Sequence, residues 1–154
     1  MKKYIKNKIT GQKIFLPEPN NTEKIFDGGV MITETDKNGV ITYANKKFRE
    51  MTGYTKEELI GSPHGINRHP KMPKSAFKNM WETITSGNYW NGHVINMCKD
   101  GGFYAVEVWI KPRLDKNNDI VGYIAGRMLP SKLDLSESLS LYKTLVKAEE
   151  ATIL

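Results

Sequence analysis

Residues 30–45 read VMITETDKNGVITYAN, two β-branched runs meeting at Asp-Lys-Asn-Gly. Asn-Gly supplies the positive φ that tight hairpin turns require, so this stretch predicts two antiparallel strands joined by a short turn. The alternation returns downstream in GHVINMCK, GFYAVEVWIKPRL and IVGYIAGRML, separated by the turn signals DGG and DKNND. These read as a three-strand meander. A chain with two strands at its start and three at its end can close them into one five-stranded antiparallel sheet. The residues between the two groups must then cross one face of that sheet.

Those residues read as helical. KKFREMTGYTKEELIG is short and helical in character, with Thr55 and Glu58 at capping-box spacing and Gly61 placed as a stop. Beyond it, Pro73 suits a first helical turn, and Phe77, Met80, Trp81 and Ile84 fall at i, i+3, i+4 and i+7. The expected fold class is therefore α+β, a five-stranded antiparallel sheet with short helices on one face.

The body of this domain is expected to span 23–130. After it, Leu135, Leu139, Tyr142 and Val146 form a stripe, with Asp134 and Glu137 at N-cap spacing. Residues 131–154 thus read as a C-terminal amphipathic helix, packed either on its own domain or on another chain. Residues 1–22 carry Lys2, Lys3, Lys6, Lys8 and Lys13 and then the irregular LPEPNN. They read as a basic, solvated arm.

At 154 residues the chain is long enough for one ordinary core, and 39% apolar with 26% charged residues is a globular composition. No apolar run approaches the ~18 residues of a membrane span, and no apolar segment follows the first lysines as a secretory signal would require. Cys98 is the sole cysteine, which excludes an intrachain disulfide and suits a reducing, cytoplasmic location. The formal charge of +6 is spread along the chain without a basic block, which argues against nucleic acid as a partner.

One run has no place in a simple connection. GINRHPKMP, residues 65–73, sets Arg68, His69 and Lys71 around Pro70 and Pro73, a cationic hook just ahead of the amphipathic helix. With GVITYANKKFREMTGYTKEELIG the order of elements resembles the PAS sensor-domain superfamily. GSPHGINRHPKMPKSAFKNMW, YWNGHVINMCKDGGFYAV and LYKTL are similar to the narrower aerotaxis-receptor type, which binds FAD. The resemblance implies a redox or energy sensor, not an enzyme, that holds FAD non-covalently. It further implies a relay of the flavin's redox state to a membrane-bound chemoreceptor or other signalling protein, with a homodimer through the terminal segments as a further option. The end of the chain at Leu154 resembles the stand-alone version of such sensors. Most members carry an aspartate where Lys71 stands here.

A flavin needs flat apolar walls, amide or imidazole groups at its polar edge, and cations or N–H groups at its phosphates. On that reading Trp81 and Trp90 wall the ring, Asn45, His64 and Asn96 meet its polar edge, and Arg68 and His69 hold the diphosphate or the electron-rich side of the ring. Most of these residues have a plainer role open to them. Trp81 belongs to an apolar helical stripe, Trp90 can cover a sheet edge, and Asn45 can cap a helix. His64 and His69 can be ordinary surface histidines, whereas Asn96 lies mid-strand, where a turn role does not fit.

Two other readings stay open. Haem on the same fold needs an axial ligand, for which His64, His69 or His93 would serve. A cofactor-free interaction module needs none. Cys98 lies outside the helical segment where the light-oxygen-voltage photoreceptors keep their reactive cysteine, which disfavours adduct photochemistry.

Overall fold

The computed structural model describes residues 2–153, and its strands and helices follow chain order. A hairpin of β1 (Tyr4–Lys6) and β2 (Lys13–Phe15) comes first, then β3 (Met31–Asp36) and β4 (Ile41–Ala44). Three helical segments cross over: α1 (Lys46–Thr52), α2 (Lys56–Leu59) and, after a 3-10 turn at His64–Asn67, α3 (Lys74–Thr85). β5 (Trp90–Met97), β6 (Phe103–Leu114) and β7 (Ile120–Met128) complete the sheet, and α4 (Lys132–Ile153) ends the chain. The five main strands are antiparallel in the order β4-β3-β7-β6-β5. The expected α+β sheet is thus formed, with β7 closing the gap between the leading and trailing strands.

The β3–β4 turn is made differently from the sequence expectation. Only Gly39 takes a positive φ, +83°, while the Asp36 carboxylate accepts from the backbone N–H of Asn38 and of Val40 at 2.9 and 3.0 Å. Asp115 does the same for Asn117 and Asp119 in the β6–β7 turn, where Asn118 takes the left-handed position at φ 66°. Both turns read Asp-Lys-Asn, then a residue able to adopt positive φ. Gly39 is further constrained because a Cβ there would come within 3.1 Å of the Trp81 ring.

The capping box of α2 is present, Thr55 and Glu58 each bonding the other's backbone N–H. Helix α4 starts one turn before its expected cap: Ser131 is the residue that caps it, accepting from the Asp134 N–H at 3.4 Å. Its stripe lies on its own domain. Tyr142 is buried and donates to the His93 carbonyl at 2.8 Å, Ser138 lies 2.7 Å from the His93 ring, and the Glu149 carboxylate accepts from the Lys74 and Ser75 N–H groups at the start of α3.

The basic arm is folded, contrary to the expectation of a solvated tail. Asn7 is 1% exposed; its amide nitrogen donates to the Ile60 carbonyl at 2.8 Å, and its oxygen accepts from the Ile9 and Thr10 N–H groups. It pins the hairpin against the end of α2, and Ile14 joins the core beside it. Gly61 makes the approach possible: its φ is +95°, and a Cβ there would sit 2.4 Å from the Asn7 oxygen. On the strands of this hairpin the lysines remain exposed while Ile5 and Ile14 turn inward, which is the division a half-buried hairpin needs; Ile9, in the turn, is exposed. The described residues contain no helix long and apolar enough to cross a membrane.

Candidate functional site

Side chains two apart on a strand point to the same face, so Tyr123, Ala125 and Arg127 of β7 all project towards the helices. In the paired register Ala125 lies between Thr33 and Ile110, and Arg127 lies opposite Val108. With Val94 and Asn96 of β5 these residues form the floor of a cavity of about 350 Å³. The apolar stripe of α3 is its roof: Phe77, Met80, Trp81 and Ile84 all face it. Ile84 is fully buried while the other three are only half-buried, because they look onto open space instead of packed atoms. His64, Gly65, Asn67 and Arg68, on and just after the 3-10 turn, close one end. The volume falls at the lower end of the ~300–1,000 Å³ of small-molecule sites.

The polar groups at the closed end form one network. Arg127 is 4% exposed and donates to the Thr33 hydroxyl at 3.0 Å and to His64 Nε2 at 2.9 Å, with its guanidinium 5.0 Å over the Phe48 ring. Because a guanidinium only donates, His64 Nε2 must accept; the imidazole proton then sits on Nδ1 and is donated to Asn67 Oδ1 at 3.3 Å. Burial, reinforced by the Arg127 charge, pushes the His64 pKa down to about 4, which keeps this tautomer neutral. Burial also lowers Arg127 to about 10, still fully charged at neutral pH.

Asn67 is 2% exposed, and with its oxygen committed to His64 its amide nitrogen is left with no partner at hydrogen-bonding geometry. The Tyr104 hydroxyl is near enough to feel it, and that hydroxyl accepts from Asn96 Nδ2 at 3.4 Å. An orphaned buried amide is rare and costly, and one on a cavity wall is a donor waiting for an acceptor.

The seven residues expected at the site divide. His64, Arg68, Trp81 and Asn96 are brought to the cavity. Arg68 is exposed at its mouth, its guanidinium 4.2 Å from the Phe77 ring centroid, and Trp81 meets Tyr123 edge-on at 5.7 Å. Asn45, His69 and Trp90 lie off its wall. The Asn45 side chain accepts from Phe48 N and Ile32 N and donates to the Val30 carbonyl, so it caps α1 and ties it to β3. Trp90 is buried at the sheet edge, bonded to Asn79 through its indole N–H and stacked closely over Gly92.

His69 turns away from Arg68. It is 2% exposed, accepts from the Lys71 N–H at 3.0 Å, and packs edge-on against Phe103. The cationic hook is therefore split, with arginine at the mouth and histidine as an internal brace. Burial, then the Lys71 charge, holds the His69 pKa below its ordinary value. Lys71 itself lies over the Phe103 ring and off the cavity wall.

The histidines bear on haem. His64 has both ring nitrogens engaged, His69 is off the wall, and His93 is bonded to Ser138 of α4. Among the described residues no uncommitted imidazole nitrogen faces the cavity. Cys98 is also elsewhere: it lies 3.2 Å from the Met51 carbonyl, and burial pushes its thiol up to about 11.

Two groups central to the network, Arg127 and Asn67, were not expected. The parity of YIAGR would have found Arg127, since it places that residue in phase with Tyr123 and Ala125. Asn67 had no such signal, because a 3-10 turn has neither of the two regular periods.

A sheet in the order β4-β3-β7-β6-β5, roofed by short helices over a cavity, is a PAS fold, and the chain belongs to that family, whose model matches residues 41–125. It is related to the aerotaxis receptor of Escherichia coli (strain K12), at 38% identity over 121 residues that cover 79% of this chain and 24% of that protein. It is also related to the nitrogen fixation regulatory protein of Klebsiella pneumoniae, at 32% identity over 125 residues, covering 80% of this chain and 25% of that protein. The chain spans about a quarter of the length of these curated relatives. The dark structure of the blue-light photoreceptor Aureochrome1 LOV shares the fold, with a TM-score of 0.61 at 21% identity over 79% of this chain and 86% of that one.

Proposed function

We propose that the chain is a redox-sensing module that holds FAD non-covalently and passes the flavin's redox state to a signalling partner, such as a membrane-bound chemoreceptor, from the cytoplasmic side. The observation that carries this reading is the orphaned Asn67 amide beside Arg127, set at the end of a slot walled by Trp81, Phe77 and Met80. That is the donor set and the flat apolar enclosure a fused ring with a carbonyl-rich edge needs. A bound flavin supplies reversible two-electron chemistry, which the protein's own side chains do not.

The cavity takes a ring system but not a whole dinucleotide. Gly65 and Arg68 line both the cavity and an outer groove of about 610 Å³, whose other charged residues are the cations Lys3 and Lys74 and the carboxylates Glu18, Glu149 and Glu150. Arg68 is the residue that would meet phosphates leaving through this mouth. Asn67 and Asn96 would hold the polar edge, and Trp81 would cover a face. Helix α4 touches the crossover at α3 and the edge strand at His93, so a shift of either reaches the surface through it.

The reading separates two substitutions that the sequence alone treats as equivalent. Arg68→Ala is expected to weaken FAD binding about tenfold and riboflavin binding far less, with little change in stability. His69→Ala is expected to lower stability by about 1–3 kcal/mol while each folded molecule keeps its affinity. Titration of both flavins, with urea unfolding of both variants, checks this. Equal loss of FAD and riboflavin in Arg68→Ala would remove the arginine from the phosphates.

A further inference from the structure

Arg127 is a buried cation without a counter-ion. Among the described residues no carboxylate lies within ion-pair range of it, and its hydrogen bonds go to a hydroxyl and a neutral imidazole. Withdrawing a guanidinium from water costs several kcal/mol even after relaxation, and neutral partners return only part of it. A charge kept under that penalty, and aimed by two fixed acceptors onto a cavity wall, is preorganised for negative charge that arrives with a ligand. The surroundings reinforce the point: Thr33, His64, Phe48 and Val108 are all uncharged, and the Tyr104 hydroxyl, which also feels the Arg127 charge, is pushed up to about 12 by burial and is neutral as well.

We propose that Arg127 is the charge-selecting residue of the cavity, holding the negative charge that a bound flavin gains on reduction. This rests on the flavin reading. The reduction adds two electrons from an external reductant, dithionite in the test below, and one proton from solvent to an uncharged ring, leaving one negative charge beside the guanidinium. Arg127 thereby favours binding of the reduced form over the oxidised one and raises the midpoint potential. The neutral His64 leaves that charge to Arg127, and Asn67 Nδ2 adds a donor at the same end of the cavity.

The test is a spectroscopic redox titration of the FAD-loaded protein between about pH 6 and 8. Uptake of one proton per two electrons gives a potential falling about 30 mV per pH unit, whereas uptake of two protons gives about 59 mV. The lower slope is expected for the wild type. Arg127→Met is expected to bind reduced flavin at least tenfold more weakly relative to oxidised flavin, a potential lower by about 30 mV or more. Arg127→Lys, which keeps the charge, should lie nearer the wild type. A two-proton slope in the wild type overturns the proposal, even if the methionine variant fails to fold. An unmoved potential in a folded Arg127→Met overturns it as well. In either case flavin is still bound, so the flavin reading survives; a wild type that takes up no flavin removes both.

Discussion

Ala125→Phe is expected to abolish flavin binding while leaving a folded protein. Ala125 sits on the middle strand of the sheet, between Thr33 and Ile110, with its methyl on the cavity floor beneath the α3 stripe. A phenyl ring there occupies the space a flat ligand needs. It enters a void instead of a packed core, so the usual overpacking cost of about 1–3 kcal/mol is largely avoided, and the newly buried apolar area contributes about 1–2 kcal/mol of stability. Affinity should fall by more than a hundredfold, measured by flavin titration, with the urea midpoint of the unloaded protein unchanged or raised. A variant that binds flavin like the wild type would mean the ligand sits elsewhere. One that unfolds would mean the cavity is smaller than its walls indicate.

The second large effect is in acid. An ordinary histidine titrates near 6.5, and His64 in the folded protein near 4, through burial first and the Arg127 charge second. Above pH 6.5 the ring is neutral in both folded and unfolded chains, and its contribution is fully present. Between 6.5 and 4 the unfolded chain accepts a proton that the folded one refuses, so stability falls as pH falls. Below about 4 both states bind it and the loss is complete, about 3 kcal/mol at most. His69, also lowered, acts in the same direction. The carboxylates of Asp27, Glu58, Asp100 and Glu149 are lowered too; their contributions are present above the ordinary carboxylate range, about 4, and are lost as pH falls through and below it.

Between about pH 7.5 and about pH 4.5, urea unfolding should therefore show the wild type losing about 2–3 kcal/mol more than His64→Gln does. Equal slopes in the two proteins would show that His64 is not held neutral by the fold.

The sheet was legible because its signals are local. Alternating apolar residues and Asp-Lys-Asn turns place the strands, and one five-stranded solution remains. The α3 stripe was legible too, although its reason was not: Phe77, Met80 and Trp81 have the spacing of core residues, and only the assembled sheet shows that the space opposite them is empty. Arg68 and His69 were linked by adjacency and by Pro70, yet neighbouring residues on a sharp turn point in different directions, and the backbone sends one to the mouth and the other to Phe103. Asn45 and Trp90 were assigned by residue type alone, which does not say whether an amide is already spent on a helix cap or an indole on Asn79. The N-terminal lysines masked a hairpin because its anchor is polar: Asn7 holds by hydrogen bonds, and no hydrophobic pattern announces that.

The central claim is that the slot between the α3 stripe and the β7 floor receives a flavin ring. The absorption spectrum of the purified wild-type protein, made with ample FAD and followed by mass analysis of the released ligand, addresses it most directly. The account predicts the two-banded flavin spectrum, one flavin per chain, and intact FAD on release. A colourless protein that takes up no added flavin, or a Soret band in its place, would contradict it.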